Sequence, residues 1–262
     1  MLDLDKAPSQ VEQPETTEDQ EYRERTDNTE QLVRTIVGRN AEYFAEPTNR
    51  LEFIKGQSAA EFFSMAQYVN AKLRGEKAHE LRHHRPAEKD GAFLPILHTP
   101  ASSDKPEAFA RGYAAIQEYL DSTDDPTEKQ IEGTAMATEA LIIWVHPFAD
   151  GNGRTSRFIA KLIEEGGTDT EALIAETASN ARRPMDYRGK LATKESRLAD
   201  ADNEDLMYDD DERAELRASA EQLPDDIEGM YLSIKRLLET DEVRQDSARH
   251  YRKLGKIARM NS

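Results

Sequence analysis

The chain's 262 residues are enough for one good-sized domain with extensions, and 35 basic against 52 acidic side chains leave a formal charge of −17. That acidity argues against a general nucleic-acid binder, whose affinity comes from neutralising phosphates, and against docking on an anionic membrane. The absence of cysteine excludes disulfides, thiolate zinc sites and cysteine nucleophiles.

The N-terminal stretch MLDLDKAPSQVEQ has neither a basic region nor an apolar run, so no signal peptide is expected. Residues 1–30 carry ten acidic and three basic side chains and few large apolar ones. Such a segment buries too little to offset its ordering entropy and reads as a disordered acidic leader. Leu32, Val33, Ile36 and Val37 then recur at helical spacing and predict a helix from about Thr29 to Phe44. Ser58 and Glu61 have the spacing of a capping box, and Phe62, Met65, Ala66, Val69 and Leu73 line one face of the helix they open.

Residues 82–105 differ in kind. Pro86, Pro95, the Asp90-Gly91 pair and the run Phe93, Leu94, Pro95, Ile96, Leu97 and His98 predict a loop with a short extended segment. Pro95 lacks a donor, so that segment suits a sheet edge. Just before it, His79, His83 and His84 have a spacing that suits metal ligands, but no carboxylate or third ligand is obviously tied to them, and Arg82 and Arg85 oppose a cation. They read as an exposed basic turn. Phe109, Tyr113, Ile116 and Leu120 mark the next amphipathic helix. Asp125-Pro126 reads as N-cap and N1 of another, ending in the apolar run Ala140 to Val145, which is far too short to span a bilayer.

Phe158, Ile159, Leu162 and Ile163 form a further helical stripe stopped by Gly166-Gly167. A helix is expected over 169–182 and another from Met185. Residues 200–228, with thirteen acidic and two basic side chains, read as a partly helical linker. Leu232, Ile234, Leu237 and Leu238 mark a terminal helix, followed by a basic stretch from Arg244 to Arg259. The expected fold class is mostly α, with one small β element.

One stretch, HPFADGNGRTSR from His146 to Arg157, holds the parts of an anion site. Gly151 and Gly153 let backbone N–H groups approach a ligand, and the next helix presents its positive N-terminus there. Arg154 and Arg157, three apart, share one side of that helix and suit phosphate oxygens. Asp150 is a hard oxygen ligand fit for magnesium, and His146 suits proton transfer near neutral pH. Each feature alone is ordinary: Asp-Gly-Asn-Gly is a turn signal, and paired arginines are usually a solvated face. Their occurrence together, flanked by helices rather than by the strands of a hairpin, is what points to a site.

At these residues the chain resembles the Fic family, whose signature H-P-F-x-[D/E]-G-N-G-R-x-x-R is matched at every fixed position. The resemblance implies a Fic-type helical bundle with a small β-hairpin flap. Composition adds an acidic leader over 1–28 and an acidic linker with helical tail over 199–262; the resemblance is strongest over 50–195 and suggests a Fic-like domain over 29–198. It implies transfer of AMP from ATP to a Ser, Thr or Tyr hydroxyl of a target protein, with release of pyrophosphate. His146 would be the base and Asp150 the magnesium (or manganese) ligand. Gly151, Asn152 and Gly153 would hold the α-phosphate, Arg154 and Arg157 the outer phosphates, and Tyr187 would border the base. Phe93, Leu94, Pro95, Ile96 and Leu97 would form the flap that registers a target strand.

Relatives that move UMP, phosphocholine or phosphate, and a silent interaction module, are the alternatives. The kinase-like Doc branch departs at the second glycine, whereas Gly153 is intact here. Many Fic proteins carry an inhibitory [S/T]-x-x-x-E-[G/N] helix, and this chain has no strict match. Glu132-Gly133 lies one residue too far from Thr127, and Pro224 replaces the hydroxyl before Glu228-Gly229. An unregulated copy would be toxin-like, so a separate inhibitory protein is an expected partner. A homodimer is a further option, nucleic acid and membrane are not expected partners, and the expected location is the cytoplasm or a host cell after delivery.

Overall fold

The computed structural model describes residues 17–38, 40–75, 99–101, 103–122, 127–178, 193–202 and 208–239. In order along the chain come α1 (Thr17–Ile36), α2 (Ala41–Ala45), α3 (Pro47–Lys55), α4 (Ala59–Leu73), α5 (Lys105–Asp121) and α6 (Glu128–Val145). They are followed by α7 (Asn152–Glu165), α8 (Thr170–Ala178), α9 (Lys194–Asp202), α10 (Asp210–Ala220) and α11 (Asp226–Glu239). No strand occurs among the described residues. The fold is mostly helical, as expected; the flap at Phe93–Leu97, the histidines at 79, 83 and 84, Tyr187 and the basic stretch beyond Arg244 lie outside the described residues.

Local signals decide where several helices begin and end. Ser58 Oγ accepts from the Glu61 N–H and Glu61 returns a carboxylate oxygen to the Ser58 N–H at 2.8 Å, the capping box that starts α4. Gly166 ends α7 at φ 64°, and a Cβ there would sit 1.9 Å from the Phe44 carbonyl oxygen. The start of α6 differs from expectation. Its N-cap is Thr127, whose hydroxyl accepts from the Gln130 N–H at 3.3 Å while Gln130 Oε1 accepts from the Thr127 N–H at 2.8 Å. Two reciprocal bonds from this pair outcompete the single cap that Asp125 would have offered.

Two expectations need correction. The leader does not stay irregular up to residue 28: α1 starts at Thr17, twelve residues ahead of the expected Thr29, and ends at Ile36, so Phe44 belongs to the separate α2. The Glu21–Arg25 pair at 2.8 Å supports its first half, and α1 packs on α4 and α8 with Thr29, Leu32 and Val33 buried. That burial anchors the second half of α1, from Thr29 on. Residues 47–55, with no element assigned from sequence, form α3. The acidic stretch 200–228 is partly helical among the described residues, as expected, because Asp209 and Glu212 form a capping box at the head of α10 and acidic side chains suit its first turn.

The core is centred on α6, whose Leu141, Ile142, Trp144 and Val145 are all buried. α7 packs along one side of it and α5 along another. Phe62, Phe109 and Tyr113 stack between α4 and α5, with Phe62 and Tyr113 at 4.7 Å between centroids. α11 lies along α5, burying Met230, Ile234, Leu237 and Leu238 in the same core. Gly112 permits this approach: a Cβ there would meet Leu141 Cδ1 at 2.6 Å and Met230 Cγ at 2.8 Å. Among the described residues, no helix is long and apolar enough to cross a membrane.

Candidate active site

The site is built by the way α6 ends and α7 begins. Pro147 disfavours a right-handed helical backbone at His146, and α6 stops at Val145. His146 takes the left-handed conformation, φ 47° and ψ 57°, and is the one non-glycine residue with positive φ among the described residues. Such a backbone costs about 1–2 kcal/mol and persists where its surroundings hold it. Here the His146 N–H donates to the Ile142 carbonyl at 3.0 Å, and its own carbonyl accepts from Lys105 Nζ at 2.7 Å.

The imidazole Nδ1 is buried with no aligned hydrogen-bond partner among the described residues. Burial pushes the pKa of His146 below its ordinary 6.5, and the charge of Lys105 pushes it further. The Ile143 carbonyl, which faces the ring, and the Asp150 carboxylate oppose that shift. The ring is therefore neutral at pH 7.

The loop after His146 is pinned at Phe148, whose buried ring lies 6.3 Å from that of Phe63 on α4. The Phe148 N–H donates to Asn152 Oδ1 at 2.9 Å, and Asn152 Nδ2 donates back to the Phe148 carbonyl at 2.6 Å. Both ends of the Asn152 amide thus serve the loop, and what this residue presents at the head of α7 is its backbone N–H. The first-turn N–H groups of a helix have no intrahelical partner, which makes this end a ready anion cradle.

Gly151 precedes that turn at φ 81°, and a Cβ there would sit 2.7 Å from Asn70 Nδ2. Asn70, buried on α4, donates from Nδ2 to the Asp150 carbonyl at 2.9 Å and to Thr155 Oγ1 at 3.0 Å. The Asp150 carboxylate itself is exposed, with Oδ2 at 3.1 Å from Arg154 Nη2 and 3.7 Å from Arg74 Nε. Arg154 is anchored a second time by donating from Nη1 to the Leu73 carbonyl at 3.3 Å. Burial lowers its pKa from the ordinary value; Asp150 opposes this, and the charges of Arg25 and Arg74 add to it. Arg157, one turn later, donates from Nε to the Glu176 carbonyl of α8 at 3.2 Å, and its Nη1 lies 3.2 Å from where a Cβ on Gly153 would be.

The structure therefore gathers His146, Asp150, Gly151, Gly153, Arg154 and Arg157 around the head of α7. Sequence reasoning missed three residues that hold them: Asn70, Arg74 and Lys105. Asn70 had a signal, an amide beside the apolar stripe of α4. Lys105 had a fainter one, a cation in a first turn that favours acids. α1 reaches the same region, with Arg25 near enough to Arg154 to act on its charge and Asn28 Nδ2 3.2 Å from the Cβ position of Gly75. Glu30 is paired with Arg34 at 3.3 Å and Glu228 with Arg111 at 2.9 Å.

Residues 77–163 match the model of the Fic/DOC family, a stretch that runs through α5 and α6 into α7. The chain carries a Fic domain. The stretch from His146 to Arg157 lies inside the match, whereas α1 to α4 and α8 to α11 are outside it. The Fic domain identifies a transferase of the Fic family in general terms. No curated protein and no solved structure matches the chain.

As for a metal, the described residues hold no group of three or more carboxylate or imidazole side chains that would form a protein cage. A lone exposed carboxylate at Asp150 fits magnesium carried on the phosphates of a nucleotide, an ion that keeps several waters and takes one or two protein ligands.

Proposed function

We propose that this Fic domain transfers AMP from ATP to a Ser, Thr or Tyr hydroxyl of a target protein. The observation that carries the reading is a neutral, half-buried imidazole at the end of α6, set four residues before an exposed carboxylate and one loop before an α7 head that bears two arginines. With Nδ1 buried and the Ile143 carbonyl beside the ring, the ring proton is best held on Nδ1, leaving Nε2 as the acceptor.

In the proposed reaction Nε2 of His146 takes the proton of the target hydroxyl. The hydroxyl oxygen forms a bond to the α-phosphorus, the bond from that phosphorus to the bridging oxygen breaks, and pyrophosphate leaves with the electron pair. The backbone N–H groups at Gly151–Gly153 stabilise charge on the α-phosphate, and Arg154 and Arg157 stabilise the leaving phosphates. Magnesium or manganese, held by Asp150, would supply neutralisation of the phosphate charge. Asp150 must exchange part of its pairing with Arg154 and Arg74 to do so, and its exposure makes that exchange cheap.

Incubating the full chain with ATP, CTP, GTP or UTP labelled at the α-phosphate, with and without cell proteins, tests the reading. Label from ATP that His146→Ala abolishes is the expected result. General-base assistance is worth about 100- to 10,000-fold, so transfer by His146→Ala within a few-fold of the parent would refute the role of His146. Preference for another nucleotide would mean transfer of a different group on the same fold, and no label from any would mean a silent module.

A further inference from the structure

We infer that Lys105 is a positioning residue for His146, holding the backbone of the base through its carbonyl and its charge beside the imidazole; the inference rests on the reading of His146 as the base. The bond from Lys105 Nζ to the His146 carbonyl, at 2.7 Å, spans 41 residues and joins the first turn of α5 to the end of α6. It closes on the residue whose left-handed backbone needs outside support.

The placement of Lys105 makes little sense otherwise. A cation in the first turn of α5 faces the positive end of that helix dipole. Burial also penalises its charge, pushing its pKa down from the ordinary lysine value. Asp104, ahead of it, makes no side-chain cap bond to the helix, and its Oδ1 instead accepts from Ser103 Oγ at 2.7 Å. Two local costs are thus borne at one position, and the partner obtained is the carbonyl of the one catalytic candidate with a strained backbone. Local rules broken without local gain mark functional positions.

The effect on His146 is directional. Besides burial, the groups that bear on the imidazole are the Lys105 ammonium, which keeps it neutral, and the Asp150 carboxylate and Ile143 carbonyl, which favour its protonation. Removing the ammonium frees the carbonyl, loosens the ring's anchor and tips that balance towards the protonated form. A plain C-cap for α6 would do neither of these things to the chemistry, and this separates a positioning role from a structural one.

The test uses the full chain with Lys105→Met, Lys105→Arg and, as a stability control on α6, Thr127→Ala. Two quantities are read: steady-state AMP transfer with ATP, and the titration of the His146 imidazole by NMR in the ligand-free protein, assigned by its loss in His146→Ala. Lys105→Met is expected to lower kcat about 10- to 100-fold, the effect of misplacing a reacting group by about 1 Å, with the KM for ATP within about threefold. Its imidazole should titrate at higher pH than in the parent, and Lys105→Arg should restore part of both. Thr127→Ala should lose stability with kcat unchanged. A kcat for Lys105→Met within about twofold of the parent, or an unmoved titration, overturns the inference. If the parent transfers nothing, the proposed function fails on its own, and the titration alone decides: a rise supports the role of Lys105 and no change refutes it. If Lys105→Met does not fold, Lys105→Gln, which removes the charge and keeps a donor, takes its place in both readings.

Discussion

Replacing Asn70 with alanine removes one amide that serves two acceptors, the Asp150 carbonyl at 2.9 Å and Thr155 Oγ1 at 3.0 Å. Both distances are those of well-formed bonds, and each bond is worth about 1 kcal/mol net. Thr155 is fully buried, so water cannot replace the lost donor, and an unsatisfied buried acceptor costs about 1–3 kcal/mol. The expected loss of stability is about 2–4 kcal/mol, read as a lower urea midpoint with an unchanged slope. The same structure predicts a coupling. Gly151→Ala in the parent meets both backbone strain at φ 81° and Asn70 Nδ2 at 2.7 Å from the new Cβ. In the Asn70→Ala background only the strain remains, about 1–2 kcal/mol. The double variant should therefore be more stable than the sum of the singles predicts, by about 1 kcal/mol, within the usual range for touching residues. A cost for Asn70→Ala below about 0.5 kcal/mol, or strict additivity with Gly151→Ala, would refute the assignment of Asn70 as the clamp on the loop.

Other substitutions test neighbouring parts of the argument. Gly166→Ala places a Cβ 1.9 Å from the Phe44 carbonyl oxygen, in a backbone at φ 64°, and should abolish stable folding or cost several times the roughly 1 kcal/mol of an ordinary substitution. Lys161 lies 2.6 Å from Glu165, 3.4 Å from Glu176 and 3.7 Å from Glu164, so Lys161→Met should cost about 3 kcal/mol by leaving those carboxylates facing one another. Burial alone would lower its pKa, but the three glutamates outweigh it and raise the value above 10.5; its stabilising contribution is thus complete below that pH and is lost as pH rises past it, which unfolding curves in alkali would show. If His146 is the base of the proposed AMP transfer, its depressed pKa places the acid limb of that activity below pH 6.5, since the base is lost only on protonation; a midpoint at or above 6.5 would contradict the buried setting of the ring. The same depression means that the folded chain takes up that proton less readily than the unfolded one, so its stability falls as pH drops below 6.5.

What the sequence by itself determined is what neighbours along the chain can encode. The capping box at Ser58, the glycine stop at Gly166 and the apolar stripes of α4, α5 and α7 all act within a turn or two, and all are where the pattern puts them. The signature from His146 to Arg157 was legible for the same reason: its imidazole, carboxylate, glycines and arginines fall within one helix–loop–helix, so their spacing already implies their proximity. Even the shift of the α6 N-cap from Asp125 to Thr127 is a local competition between adjacent polar side chains. Tertiary structure alone decided the rest. Asn70 and Asp150 are 80 residues apart, Lys105 and His146 are 41, and no periodicity reveals that an amide or an ammonium will end beside a particular carbonyl. The second half of α1 is held because α4 and α8 offer it a surface, and α11 lies in the core because Gly112 lets it approach α5. Local rules act through torsions and neighbouring side chains and are written in short windows; contacts between distant segments form only when packing brings them together, and their partners are then chosen by geometry rather than by order in the chain.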